Sequence, residues 1–193
     1  MMRRSSLILL AVLGCSFLRN VSPAQVAIAY PVPPATKLAS FDTNNSSIII
    51  KATTEIGSLT VNAGVVSVRC REITDAGSGR KEQGIAMEIT QSGQRKDTLL
   101  IDYDEIASLL SAIDYLNKLD FSVTAMNAFD AAYTTKGGFR VAAIGLRRTS
   151  TIQFAIRDAR TDTTSFIFSR TDLSQFGSLI DQARKKLDSP DGN

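Results

Sequence analysis

Residues Asp97 to Asp120 read DTLLIDYDEIASLLSAIDYLNKLD, a short apolar strand that runs straight into an amphipathic helix. Leu99, Leu100 and Ile101 carry the strand. Ile106, Leu109, Leu110, Ile113 and Leu116 then recur at three- and four-residue spacing, a stripe that has to bury against a sheet. Asp102 stands where a side chain can cap the first free amides. Glu105, three residues on, is placed to close a capping box. Both acids suit the positive end of the helix dipole, by a few tenths to about 1 kcal/mol.

The pattern returns at Thr164 to Asp188, TSFIFSRTDLSQFGSLIDQARKKLD. Leu173, Phe176, Leu179, Ile180, Ala183 and Leu187 form its stripe, and Ser169 and Asp172 take the cap and third-residue (N3) places of Asp102 and Glu105. The echo extends upstream. Ile48–Thr53, Val65–Thr74, Gly84–Thr90 and Leu99–Ile101 read as four strands before the first helix. Ala128–Lys136, Phe139–Leu146, Ile152–Ile156 and Thr164–Phe168 read as four before the second. Short turns at Asn62-Ala63-Gly64, Asp75–Arg80, Gln91-Ser92-Gly93 and Lys136-Gly137-Gly138 make the pairings antiparallel. The predicted fold class is α+β: two ββββα repeats, antiparallel sheets, one amphipathic helix closing each. The first repeat is placed at residues 47–120 and the second at 121–188, with 189–193 a tail. About 70 residues make a marginal core alone, so the halves are expected to pack as one body.

Ahead of them lies a leader. Arg3 and Arg4 precede the apolar run Ser6–Leu18, SLILLAVLGCSFL, which has signal-peptide length and is too short to span a bilayer, where about 20 residues are needed. Residues 1–24 are read as a signal peptide. Cleavage is expected after Ala24 or after Ala29; a lipoprotein signal ending before Cys15, with lipidation of that cysteine, is the alternative. Residues 25–46, with Pro31, Pro33 and Pro34 and then Asp42-Thr43-Asn44-Asn45, read as a linker and turn. The chain is therefore expected in the periplasm or secreted, with no transmembrane helix in its mature part. The leader also corrects the charge. Of 22 basic residues Arg3, Arg4 and Arg19 lie there, which leaves 19 against 19 acids, so a basic nucleic-acid-binding character loses its main support.

Ile101-Asp102-Tyr103-Asp104-Glu105-Ile106, Ile113-Asp114-Tyr115-Leu116 and Tyr133-Thr134-Thr135-Lys136-Gly137-Gly138-Phe139 look like motifs of a family of small exported bacterial proteins without assigned activity. The resemblance runs from about Ile48 to Leu187. It implies export and a globular fold, and it implies no site. At the level of topology alone, ββββα twice is similar to the Whirly and Pur-alpha single-stranded nucleic-acid binders.

Chemistry-bearing residues each have a plainer reading. The chain has no His, which excludes His-based hydrolytic triads and His-zinc sites. Ser78-Gly79-Arg80-Lys81 has Ser-x-x-Lys spacing, but in a turn and not at a helix start. Asp102, Asp104 and Glu105 could serve a cation, yet capping accounts for two of them. Lys136-Gly137-Gly138 could cradle an anion but joins two strands. Arg147, Arg148, Arg157, Arg160 and Arg170 could line a single-strand groove. Arg184, Lys185 and Lys186 suit a helix C-terminus, and Asp158 and Asp162 suit a turn. Cys70 alternates with Val66 and Val68 and is expected to face the core. No catalytic residue, metal or cofactor is assigned. The expected function is a non-enzymatic exported module with a binding or structural role at the bacterial envelope, its partner an envelope protein or a small apolar ligand. The alternative is a Whirly-like single-stranded nucleic-acid-binding protein.

Overall fold

The computed structural model describes residues 36–42, 47–61, 64–91, 94–160 and 165–189. All belong to one compact unit, Val32–Asn193. A short helix α1 (Lys37–Asp42) comes first. Four strands follow, β1 (Ile49–Val61), β2 (Gly64–Asp75), β3 (Lys81–Gln91) and β4 (Gln94–Asp102), and then α2 (Tyr103–Lys118). The second set is β5 (Ala128–Thr134), β6 (Phe139–Leu146), β7 (Thr151–Asp158) and β8 (Ser165–Phe168), closed by α3 (Arg170–Asp188). Each set makes a four-stranded antiparallel meander in sequence order. The two ββββα units expected from the sequence are present.

Alternation decides which face of each sheet is inside. Val66, Val68 and Cys70 of β2 stand beside Ile85, Met87 and Ile89 of β3 and Leu99 and Ile101 of β4, all buried. In the second sheet Val141, Phe154, Ile156, Phe166 and Phe168 do the same. Both helices lie against these inner faces and against each other. The core is shared: Leu109 and Ile113 of α2 and Phe176 and Ile180 of α3 belong to one apolar cluster with residues of both sheets. Helix α3 packs on β1 and β2 of the other unit as well as on β7 and β8, and α2 packs on β5 as well as β3 and β4. A helix serving only its own sheet would leave each half with too little buried surface; sharing solves that for both.

Three local features depart from the sequence reading. Strand β1 continues past Thr53 to Val61, with a register shift between Glu55 and Gly57. Exposed positions on both of its faces hide this length from any alternation test. The stretch expected as linker contains α1, whose Leu38 and Phe41 are buried with Ile73 on the outer face of the first sheet. The third concerns the cap of α2 and is described next.

Candidate functional site

The acidic cluster at the β4–α2 joint is the densest group of ionisable side chains the sequence marks, and the capping box expected there is absent. Asp102 makes no side-chain bond to α2. Its carboxylate turns to the start of α1 and accepts from Lys37 N at 2.8 Å and Leu38 N at 3.1 Å. Thr36 Oγ1 takes the next amide, Ala39 N, at 3.0 Å. Glu105 does not reach back either. It is buried, and its Oε1 accepts from Lys136 N at 2.8 Å, in the β5–β6 turn, while Oε2 has no hydrogen-bond partner. Asp104 is half exposed between two ammonium groups, Lys37 Nζ at 3.0 Å and Lys136 Nζ at 3.4 Å. The Lys37 hydrogen bond, followed by that lysine's charge, holds the Asp104 carboxyl below its ordinary range and raises Lys37 in turn.

Three carboxylates thus tie three segments distant in sequence: α1, the β4–α2 joint and the β5–β6 turn. The physical reason is desolvation. Leu38 N and Lys136 N are amides at packed junctions, where an unmet donor costs about 1–3 kcal/mol. The first amides of α2 begin beside exposed Tyr103 and Asp104, where water can serve them. At α3 the local rule holds. Ser169 Oγ accepts from Asp172 N at 3.1 Å and Asp172 Oδ2 accepts from Ser169 N at 2.8 Å, a complete capping box. Among the described residues no set of three or more Cys, Asp or Glu side chains has metal-binding geometry.

The other candidates separate in space. Ser78 lies in the β2–β3 turn and Lys81 opens β3, but Lys81 Nζ pairs with Glu72 at 3.0 Å and Ser78 Oγ accepts from Arg80 N at 3.3 Å. The turn is built by Asp75. Its carboxylate accepts from the Ser47 hydroxyl, from Gly77 N at 2.9 Å and from Ser78 N at 3.2 Å. The Ser47 bond first, then Ser78, bring Asp75 down to about 2. In the β5–β6 turn the Lys136 amide is taken by Glu105 and Gly138 N donates to Thr135 O at 3.0 Å. A side chain at Gly137 would meet Leu100 O at 2.2 Å, so glycine is what lets this turn abut β4.

The arginines brace loops. Arg147 donates to Phe121 O at 2.7 Å, Thr124 O at 2.6 Å and Met126 O at 3.3 Å, and lies over the Phe121 ring. Arg160 pairs with buried Asp158 at 2.8 Å. Arg170 reaches Leu119 O at 3.0 Å and covers Phe154. Cys70 faces the core as expected. Its thiol donates to Ala183 O at 3.3 Å, and burial pushes it up to about 11, far from a reactive thiolate.

Two clefts went unmarked in the sequence. One, of about 180 Å³, lies between the overhanging ends of β1–β3 and the end of α3, lined by Ala52, Thr54, Cys70, Glu72, Gln83 and Lys186. The other, of about 330 Å³, is lined by Lys37, Lys81, Glu82, Gln83, Tyr103 and Asp104. The walls of the first come from segments more than a hundred residues apart and those of the second from three segments spread between Lys37 and Asp104, so no short spacing could have announced them. No helix among the described residues is long and apolar enough to cross a membrane. Cys15, both cleavage positions, Asn44, Asn45 and Asp162 lie outside the described residues. Comparisons with protein-family models, with curated proteins and with solved structures gave no match.

Proposed function

We propose that this chain is a non-enzymatic exported module that binds an envelope partner through the outer face of its second sheet. One observation carries the reading. Ile144, Leu146 and Ile167 stand 40%, 47% and 52% exposed on that face. Register places Ala132, Ala142, Ala155 and Ile167 in one row across all four strands, with Ala142 and Ala155 buried between exposed neighbours and the Arg140–Asp130 ion pair on the same face. Helices occupy the inner face, and none of the described helices packs on the outer one. Exposed apolar side chains gathered on one sheet face are the kind of feature that marks an interaction surface. An open sheet face suits a protein better than a small apolar ligand, which needs an enclosing pocket.

Export is supported by the basic start, the apolar run Ser6–Leu18 and the resemblance to exported bacterial proteins. A binding role is supported by how the polar candidates are used. Asp102, Glu105, Asp158, Arg147 and Arg170 each hold a structural contact, and Cys70 is protonated at neutral pH.

The test places a photo-crosslinking residue at Ile144 or Ile167 in the exporting host, with exposed Ser178 on α3 as control. A discrete adduct from the sheet positions only is expected, on protein whose first residue is Gln25 or Tyr30. Adducts from Ser178 alone, or an intact Met1 in the cytosol, contradict the proposal.

A further inference from the structure

The first sheet outruns its own fourth strand. Strand β4 ends at Asp102, opposite Gly84, so the rows of β1, β2 and β3 beyond that point have no strand beside them. The cleft of about 180 Å³ opens there, against the last turn of α3. Its floor is the inner face of the sheet. Register sets Thr54 beside Cys70 in one row, and Ala52, Glu72 and Gln83 in the next row toward the free end. Lys186 and Leu187 of α3 form the wall.

The charges in that last turn are matched except for one. Arg184 pairs with Asp188 at 3.8 Å, and Lys185 pairs with Asp181 at 2.7 Å. Lys186 is half-buried and has no ion-pair partner among the described residues. The helix dipole favours cations in this turn, and exposed Lys185 already answers it. It gives no reason for an ammonium to turn inward. Burial raises the Cys70 thiol while the Lys186 charge acts against that rise, which places the ammonium near the floor. Glu72 lies in the floor as well. Lys81, one row nearer the free end, takes its carboxylate at 3.0 Å. The uncompensated charge of the cleft is therefore that of Lys186.

We propose that this cleft binds a short unbranched monocarboxylate, with the carboxylate on Lys186 Nζ and the hydrocarbon chain against Ala52, Cys70 and Leu187. One unmatched cation selects one negative charge, and the Glu72 carboxylate disfavours a second. Thr54 and Gln83, on the two flanking strands, add a hydroxyl and an amide as further donors. Size limits the rest. The cleft is smaller than the roughly 300–1,000 Å³ of drug-sized ligand sites. From β1 to β3 its floor is two strand spacings wide, roughly 10 Å, which suits a chain of about six carbons. The site is separate from the second sheet's outer face, and neither reading depends on the other.

Amide NMR on the labelled chain as isolated from its host, titrated with sodium hexanoate, tests this. Saturable shifts at Thr54, Gln83 and Leu187 are expected. The dissociation constant should be millimolar, as suits a ligand of few heavy atoms. Hexanol, which has the same tail without the charge, should bind at least about tenfold more weakly. Lys186→Gln should remove the hexanoate shifts, Lys186→Arg should keep them, and Lys185→Gln should change nothing. If Lys186→Gln does not fold, the contrast of hexanoate with hexanol on the unaltered chain still decides. Absence of saturation at these amides up to about 100 mM hexanoate overturns the proposal, and so does binding that survives Lys186→Gln. Hexanol bound as tightly as hexanoate overturns it in favour of an uncharged apolar ligand.

Discussion

Replacing Asp102 by Ala removes both acceptors that hold the start of α1. Each is a hydrogen bond from a backbone amide to a carboxylate, and bonds to charged groups contribute about 1.5–3 kcal/mol apiece. Burying Leu38 and Phe41 adds roughly 1.5–3 kcal/mol each. Against this stands the ordering of six helical residues, at about 1–2 kcal/mol per residue. The terms nearly cancel, so α1 stays docked only while Asp102 holds it. Loss of the carboxylate is expected to release α1 and not to unfold the sheets. Global stability then falls only by the net docking free energy, about 1–2 kcal/mol, read as a drop of roughly 0.5–1 M in the urea midpoint. Total stability does not separate this reading from an ordinary helix cap, which is also worth about 1 kcal/mol. The position of lost protection does. Amide hydrogen exchange should speed up about 5- to 30-fold at Ser40, whose N–H bonds Thr36 O inside α1, the most that a docking free energy of about 1–2 kcal/mol can protect, while the interior amides of α2 keep their rates. The reverse pattern, with α1 unchanged and the first turn of α2 frayed, would refute the reasoning. Ser169→Ala is the internal control, since it removes a genuine cap and should fray α3 alone.

Three further expectations rest on single contacts. Asp75 is depressed from its usual 3.8 to about 2, so it stabilises the fold above the unfolded value, and that contribution is lost as pH falls from about 4 to 2; Asp75→Asn should flatten the stability–pH profile in that window, measured by thermal melts. Cys70 is raised to about 11 and buried, so alkylation at pH 8 followed by peptide mass analysis should find it unmodified in the native protein and fully modified in denaturant. Gly137→Ala places a methyl group 2.2 Å from Leu100 O and should destabilise by about 1–3 kcal/mol, with exchange at the β5–β6 turn accelerated first; an unchanged urea midpoint would show that the turn can draw back from β4.

The legible part of the fold was the part written in local periodicity. Ile85, Met87 and Ile89 alternate, and Ile106, Leu109 and Ile113 recur at helical spacing, because one face of each element must leave water whatever it packs on. The same rule located Cys70 in the core. It failed at β1, whose first half has no buried face to mark. It failed at α1 too, where two buried apolar residues in a six-residue helix make no pattern against a proline-rich background. The arginines looked like a strip because sequence shows charge but not destination. Arg147 and Arg170 spend theirs on backbone carbonyls of the chain between α2 and β5.

The stretch Asp97–Asp120 marks the boundary between the two kinds of information. Its strand, its helix and the buried stripe follow from residue order, as does the capping box of its counterpart at Ser169 and Asp172. The work of Asp102 and Glu105 does not. Both were chemically fit to cap the helix they precede, and tertiary packing offered better donors. The amide of Leu38 is buried and those of Lys37 and Lys136 partly buried, so they gain from a protein acceptor, while the first amides of α2 lie beside exposed Tyr103 and Asp104. Local sequence decides which groups can bond; packing decides which of them lose water, and that loss determines where each carboxylate goes.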